Sequence, residues 1–371
     1  MDELLGGLSP RAFLRRHWQK RPLLVRGAIP GGLEAASRAA LEALAARDSV
    51  ESRVVQRKAR RWQVAHGPFP RAALARLPQR DWSLLVQGVN HHLPAAEGLL
   101  RRFSFIPQAR LDDVMASYAA PGGGVGPHWD SYDVFLLQAS GRRVWNICRP
   151  RAFEAIPGQP LRLIAGFVAE DEYLLEPGDM LYLPPGWGHD GIALDDSVTC
   201  SVGFRAPSGA ELGAAFLDFL ADRGLPDAAW RDPGMRPSAH PARIDADFLR
   251  QARAMIGRVR WSRRDIDAFL GTWLTTPKPQ VTFERRERVP GAAAFARSLA
   301  ASAVVLDPRS LMLYRGSRIY LNGESLEPEG ALGAALRELA DARRAPGRRF
   351  RGAHAAALLR DWYRSGFLHL E

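Results

Sequence analysis

Lysine is almost missing from this 371-residue chain: of 51 basic residues only Lys20, Lys58 and Lys278 are lysines, and the rest are arginine. Such an imbalance, beside abundant alanine, reads as genomic base-composition bias. The formal charge of +11 is then a generally basic surface rather than a dedicated DNA site, so specific DNA binding is not expected. Two basic clusters, Arg57-Lys58-Ala59-Arg60-Arg61 and Arg348-Arg349-Phe350-Arg351, remain able to meet RNA phosphates weakly. Cysteine is scarce: Cys148 and Cys200 have no metal-type spacing, which excludes a disulfide scaffold or zinc knuckle and suits reduced thiols in the cytoplasm. No apolar run approaches the ~18 residues of a membrane span. The acidic start, MDELLGG, lacks the basic-then-apolar layout of an export signal. Internal repeats and low-complexity tails are lacking as well.

What is present is an ordinary globular composition, 46% apolar, with length enough for two or three domains. Residues 1–110 mix helix and strand. SPRAFLRRHWQKRPLLV predicts a helix capped by Ser9 with Pro10 at its first turn, then a short strand after Pro22. From Leu111 to Ala206 the texture is β: runs of Val, Ile, Leu, Phe and Tyr punctuated by PGGG, ASGR, EPGD, PPGWG and LDDS. At Ser208 it becomes helical, opened by a capping-box pattern, Ser208 with Glu211 three residues on. TTPKPQ (275–280) breaks the chain again. The remainder alternates helices with the hairpin SLMLYRGSRIYLNGESL, which fits a winged helix. The predicted architecture is α+β: a catalytic domain over 1–207 with a barrel core at about 88–207, a helical segment over 208–276, and a winged-helix domain over 277–371.

The segment GPHWDSYDVF places His128 and Asp130 two residues apart in a stretch otherwise suited to a strand, where i and i+2 share a face. Alone, such a pair is weak evidence. A second segment, GDMLYLPPGWGH, carries Gly178, Pro184, Gly186 and His189 at the spacing that resembles the second signature of the cupin superfamily. The first signature is traceable from Gly122 through His128 to Gly141, with Asp130 where many cupins have a second histidine. A double-stranded β-helix brings the two segments together. Two histidines and one carboxylate on one side of an ion leave three octahedral positions open, the facial triad of non-haem Fe(II) oxygenases; zinc prefers a more closed site. PGGGVG (121–126) lacks the Lys-Ser/Thr ending of a phosphate loop, so its expected job is a tight turn.

Three open positions admit a bidentate 2-oxo acid and O2, and such a co-substrate needs a cation for its far carboxylate. ASGRRVWNI supplies Arg142 and Arg143, of which strand alternation turns one inward. The order H-W-D, Y-D-V-F-L-L-Q, G-R-R-V-W, P-P-G-W-G-H and S-V-G-F-R-A-P resembles the cupin-like JmjC ribosomal oxygenases, closest to the bacterial branch that hydroxylates an arginine of a large-subunit ribosomal protein. HWQKRPLLV, RWQVAHGPF and WSLLVQGVNH extend the similarity over nearly the whole chain. The resemblance implies that His128, Asp130 and His189 bind Fe(II), that Arg143 binds 2-oxoglutarate, and that the 208–276 segment makes a homodimer. One departure is Ala119, where the family often carries a hydroxyl residue near the 2-oxoglutarate tail; Ser117, Tyr118 and Ser201 are the neighbouring candidates, and Ser201 is assigned to the cofactor site.

An arginine substrate needs an acid for its guanidinium. Tyr132, Asp133 and the acidic loops AEDEY and LDD are the candidates, with Tyr132 and Asp133 assigned. Alternative functions are a JmjC enzyme acting on a histidine or lysine of another protein, a small-molecule cupin dioxygenase, and a non-enzymatic winged-helix regulator.

Overall fold

The computed structural model describes residues 3–30, 33, 36–58 and 61–371. Met1 and Asp2 of the acidic start, and Ala59 and Arg60 of the first basic cluster, lie outside them. The chain divides into two compact units: Met1–Ala206 with Pro277–Ser310 and Asp341–Glu371, and Pro207–Thr276 with Leu311–Ala340.

The first unit is built on two antiparallel sheets. Its strands are β1 (Leu23–Val25), β2 (Ser52–Lys58), β3 (Arg61–His66), β4 (Trp82–Val86), β5 (Leu111–Ala119), β6 (His128–Trp129), β7 (Val134–Ser140), β8 (Arg143–Cys148), β9 (Asp171–Leu175), β10 (Met180–Leu183), β11 (Gly188–Ala193) and β12 (Ser197–Phe204). The major sheet runs β1-β10-β7-β12-β5-β4-β2-β3 and the minor one β6-β11-β8-β9. From β5 to β12 the chain passes back and forth between the sheets, except at β8 and β9, which pair within the minor sheet, and the result is the double-stranded β-helix expected. Strands β1 to β4, from the mixed N-terminal region, extend the same major sheet.

Alternation divides each central strand between two environments. On β7, Phe135 and Leu137 join a core with Phe13, Leu41, Leu99 and Phe103 from helices and loops on the outer face. Val134 and Leu136 point the other way, against Trp145 and Ile147 of β8. On β12, Val198, Cys200 and Val202 belong to the outer core. Thr199, Ser201 and Gly203 occupy the alternate positions, and Ser201 and Gly203 face the barrel interior. The outer helices thus anchor one face of the sheet and leave the other for chemistry. Helix Pro10–Arg16 shows how locally this is encoded: the Ser9 hydroxyl accepts from the Ala12 amide at 3.2 Å, Pro10 opens the helix, and Phe13 is driven into the core.

The first unit also contains a small sheet in which Ala303–Leu306 lies between Arg344–Pro346 and Leu368–Leu370. It is accompanied by helices Ala292–Ala301 and Ala353–Ser365. The second unit holds helices Gly209–Asp222, Ala246–Ile256 and Arg263–Thr275 and the three-stranded meander Met312–Arg315, Arg318–Leu321 and Glu324–Leu326. The Ser208–Glu211 capping box is formed, and a second one, Ser262 with Asp265, opens helix Arg263–Thr275. Phe216 and Phe219 meet Phe269 at ring centroid distances of 5.3 and 5.6 Å.

Candidate active site

His128 on β6 and His189 on β11 are directly opposed partners in the antiparallel register. Their rings approach to 4.2 Å between centroids. Asp130 lies just beyond the end of β6, and its Oδ2 is 4.0 Å from His128 Nε2 and 3.6 Å from His189 Nε2. One ligand atom from each of the three residues falls within 4.8 Å of the others. The segment bearing Asp130 is tied down by the next motif: the Gly186 amide donates to the Asp130 carbonyl at 2.7 Å. The PPGWG turn therefore does two things at once, delivering His189 and fixing the backbone of Asp130.

The tautomers suit a cation. His128 Nδ1 lies 2.9 Å from the Gly126 carbonyl, and His189 Nδ1 lies 3.0 Å from the Trp187 carbonyl. A carbonyl only accepts, so both Nδ1 atoms carry the proton and both Nε2 lone pairs face Asp130. Burial, with His128 alongside, lowers the His189 pKa to about 4; the ring is neutral at physiological pH. Two neutral imidazoles and one carboxylate, facing the barrel interior from one side, are a fitting donor set for an octahedral divalent ion. Glycine permits the tight wall behind them. A Cβ on Gly191 would lie 2.7 Å from the Trp145 ring, and one on Gly124 2.4 Å from the Gly191 carbonyl oxygen.

The cavity beside this cluster has a volume of about 320 Å³ and is lined from both sheets. Of the two arginines after the Ser140-Gly141 turn, Arg142 lies outside, paired with Asp195 at 2.8 Å. Arg143 is buried at 4% exposure in the cavity wall. Its guanidinium donates to Ser117 at 3.1 Å and Ser197 at 3.3 Å, its Nε has no partner, and burial lowers its pKa to about 10. Among the described residues this buried cation meets two neutral hydroxyls and the Trp145 ring, 5.9 Å away, but no carboxylate, which makes an anion subsite that fits the far carboxylate of a small diacid. The indole Nε1 of Trp145, on the same wall, is likewise buried and unpartnered.

Ser201 and Tyr132 both line the cavity. The Tyr132 phenol is raised above its ordinary pKa, first by burial and then by Asp130. Ser117 is the hydroxyl that touches Arg143, whereas Tyr118 points to the opposite face, where its hydroxyl donates to Asp196 at 2.9 Å. Asp133 is a correction. It is fully buried away from the cavity: Tyr182 donates to Oδ1 at 2.6 Å, Gln19 donates to Oδ2 at 3.0 Å, and Arg110 lies 3.5 Å from Oδ2. Asp133 follows Tyr132 directly, so its side chain turns to the other face of the chain, into a polar knot that anchors the loop.

Besides Asp130, the acids lining the cavity are Asp112 and Asp113, on β5. Asp113 is held by Gln87, whose amide donates to both carboxylate oxygens at 3.1 Å. Burial raises its pKa against the pull of Lys278. Asp113, Met115 and Ser117 alternate along LDDVMASYA, so the strand pattern that exposed His128 and Asp130 carried this signal too. A carboxylate at an inward position of an otherwise apolar strand was the clue.

Residues 98–212 match the family model of the JmjC domain, and residues 258–369 match that of the ROXA-like winged helix. The chain is 36% identical over 318 residues to ribosomal protein uL16 3-hydroxylase of Escherichia coli (strain K12), covering 85% of this chain and 84% of that protein. The X-ray structure of E. coli YcfD superposes with a TM-score of 0.86 at 33% identity, over 98% of both chains. E. coli YcfD, a ribosomal oxygenase, in complex with cobalt and 2-oxoglutarate superposes with a TM-score of 0.83, again at 33% identity over 98% of both chains. A JmjC domain followed by a ROXA-like winged helix, with the fold shared over nearly the full length, shows that the chain belongs to the JmjC-domain ribosomal oxygenases.

Proposed function

We propose that this protein is an Fe(II)- and 2-oxoglutarate-dependent oxygenase that uses O2 to hydroxylate an arginine side chain of a large-subunit ribosomal protein. The observation that carries this reading is the convergence of His128, Asp130 and His189 beside the buried, carboxylate-free Arg143 in one cavity. The likeness to a uL16 3-hydroxylase and to a protein bound to cobalt and 2-oxoglutarate supports the metal, the co-substrate and the substrate class.

Iron with 2-oxoglutarate and O2 supplies the oxidising power to place oxygen on an unactivated C–H bond, while the co-substrate is converted to succinate and carbon dioxide. The residues of this chain set the stage. His128, Asp130 and His189 hold the ion, with both rings oriented by the backbone carbonyls of Gly126 and Trp187. Arg143, steadied by Ser117 and Ser197, receives the distal carboxylate of 2-oxoglutarate. Trp145, Val134 and Leu136 keep water from that end. At the other end, Asp113 accepts from the substrate's guanidinium, with Tyr132 and Met115 as flanking walls. A buried carboxylate of this kind favours an arginine over a neutral histidine substrate.

The exposed apolar residues of the second unit, among them Leu217, Phe248, Ile256 and Trp261, support homodimerisation through the 208–276 segment. The winged helix over 277–371 then serves as a docking annex for the ribosomal substrate. No helix among the described residues is long and apolar enough to cross a membrane, and the proposed ribosomal substrate supports a reaction in the cytoplasm. The test is a coupled assay: succinate release with Fe(II), 2-oxoglutarate and a uL16 peptide, with mass spectrometry of the peptide. One oxygen gained on the arginine, lost in His189→Ala, is expected. Succinate release that no arginine-bearing ribosomal peptide stimulates would refute the substrate assignment.

A further inference from the structure

Lys278 is one of three lysines in the chain, and it sits on the carboxylates of the cavity. Its ammonium is 2.8 Å from Asp112 Oδ1 and 3.4 Å from Asp113 Oδ2. Asp112 has a second cation, Arg205, whose Nε lies 3.4 Å from the same Oδ1. Among the described residues, the hydrogen-bond and ion-pair partners of the Asp113 carboxylate are Lys278 and the neutral Gln87 amide.

We infer that Lys278 is a placeholder cation: it balances Asp113 until the substrate's guanidinium takes that carboxylate, and then rests on Asp112. The inference builds on the reading that Asp113 receives the substrate. Two carboxylates against Lys278 and Arg205 already balance. A guanidinium added with Lys278 still in place would leave surplus positive charge where the dielectric is low. The long 3.4 Å contact to Asp113 is the one to yield, and the shorter contact to Asp112 is kept. Lys278 has the means to move, since its side chain is 33% exposed. Its ammonium is also a point charge on a flexible stem, without the bidentate fork that would hold an arginine fast. Where nearly every other basic position is arginine, lysine at 278 gives a cation that lets go.

The experiment measures KM for an arginine-bearing uL16 peptide, and separately for 2-oxoglutarate, in Lys278→Met, Lys278→Arg and Asp112→Asn. With the internal competitor removed, Lys278→Met is expected to lower the peptide KM about fivefold, the scale of one partly exposed ion pair. Lys278→Arg is expected to raise it, and so is Asp112→Asn, which leaves Lys278 no resting place. The 2-oxoglutarate KM stays constant throughout. A peptide KM unchanged or raised in Lys278→Met overturns the inference; should that variant fail to fold, Asp112→Asn decides instead, and a peptide KM unchanged or lowered there overturns it. Asp113→Asn keeps the two levels apart. If it loses peptide turnover while retaining 2-oxoglutarate binding and Lys278→Met has no effect, only the placeholder falls; if it keeps the wild-type peptide KM, the substrate site itself has been misassigned.

Discussion

His128 and His189 each commit Nδ1 to a carbonyl two residues earlier, which leaves both Nε2 atoms free for an ion. The same burial that favours a neutral His189 makes the metal-free protein acid-sensitive. A histidine whose folded pKa is about 4, against ~6.5 unfolded, lets the unfolded state bind more protons between those values, so stability rises with pH across that window and falls on acidification. Thermal melts of the metal-free protein from pH 7 to pH 4 are expected to show this slope, and His189→Gln to flatten it. Arg143 should show the opposite trade. It is buried without a carboxylate partner, so Arg143→Met relieves an unpaired buried charge and is expected to raise the metal-free melting temperature. Its 2-oxoglutarate KM should meanwhile rise about 100-fold or more, the cost of leaving a carboxylate unmatched in a dry site. Unchanged 2-oxoglutarate affinity would remove Arg143 from the co-substrate site.

At the scale of the element, strand alternation decided what could be read beforehand. The i, i+2 relation of His128 and Asp130, the capped helix after Ser9 and the Ser208 capping box are local, and each was legible in the sequence. Which of Arg142 and Arg143 turns inward was not legible from alternation, because that depends on how the hairpin meets the β9 and β11 edges; the family resemblance alone pointed to Arg143. Asp133 was misassigned for a related reason. Its partners Gln19, Arg110 and Tyr182 lie far away along the chain, and no short-range pattern announces them. That knot fixes the end of the loop carrying Asp130 and Tyr132. Tyr182→Phe removes its strongest bond and is expected to cost about 2 kcal/mol of stability in urea denaturation. Gly191→Ala tests the strand contact from the other side. With a Cβ 2.7 Å from Trp145, the β8–β11 pair must shift, and metal affinity, measured by titration with Co(II), is expected to fall at least tenfold. An alanine variant with wild-type affinity would show that the wall tolerates movement.

On the scale of the whole molecule, the proposed reaction brings a basic protein to a basic class of substrate. Net charge opposes that encounter, and local acids such as Asp113 have to reverse it. Peptide affinity should therefore weaken only slightly with added salt, since screening removes the repulsion along with the local attraction. Binding dominated by RNA phosphates would fall steeply instead. The apolar faces of the 208–276 helices are expected to give a dimer in light scattering, and Leu217→Asp with Trp261→Asp a monomer. The most direct test of the central claim is the uL16 peptide itself, incubated with the protein, Fe(II), 2-oxoglutarate and O2, and then sequenced by mass spectrometry. The expected result is one oxygen on one arginine, matched mole for mole by succinate and abolished together with it in Asp130→Ala. Succinate formed at the wild-type rate by that variant would contradict a reaction centred on His128, Asp130 and His189.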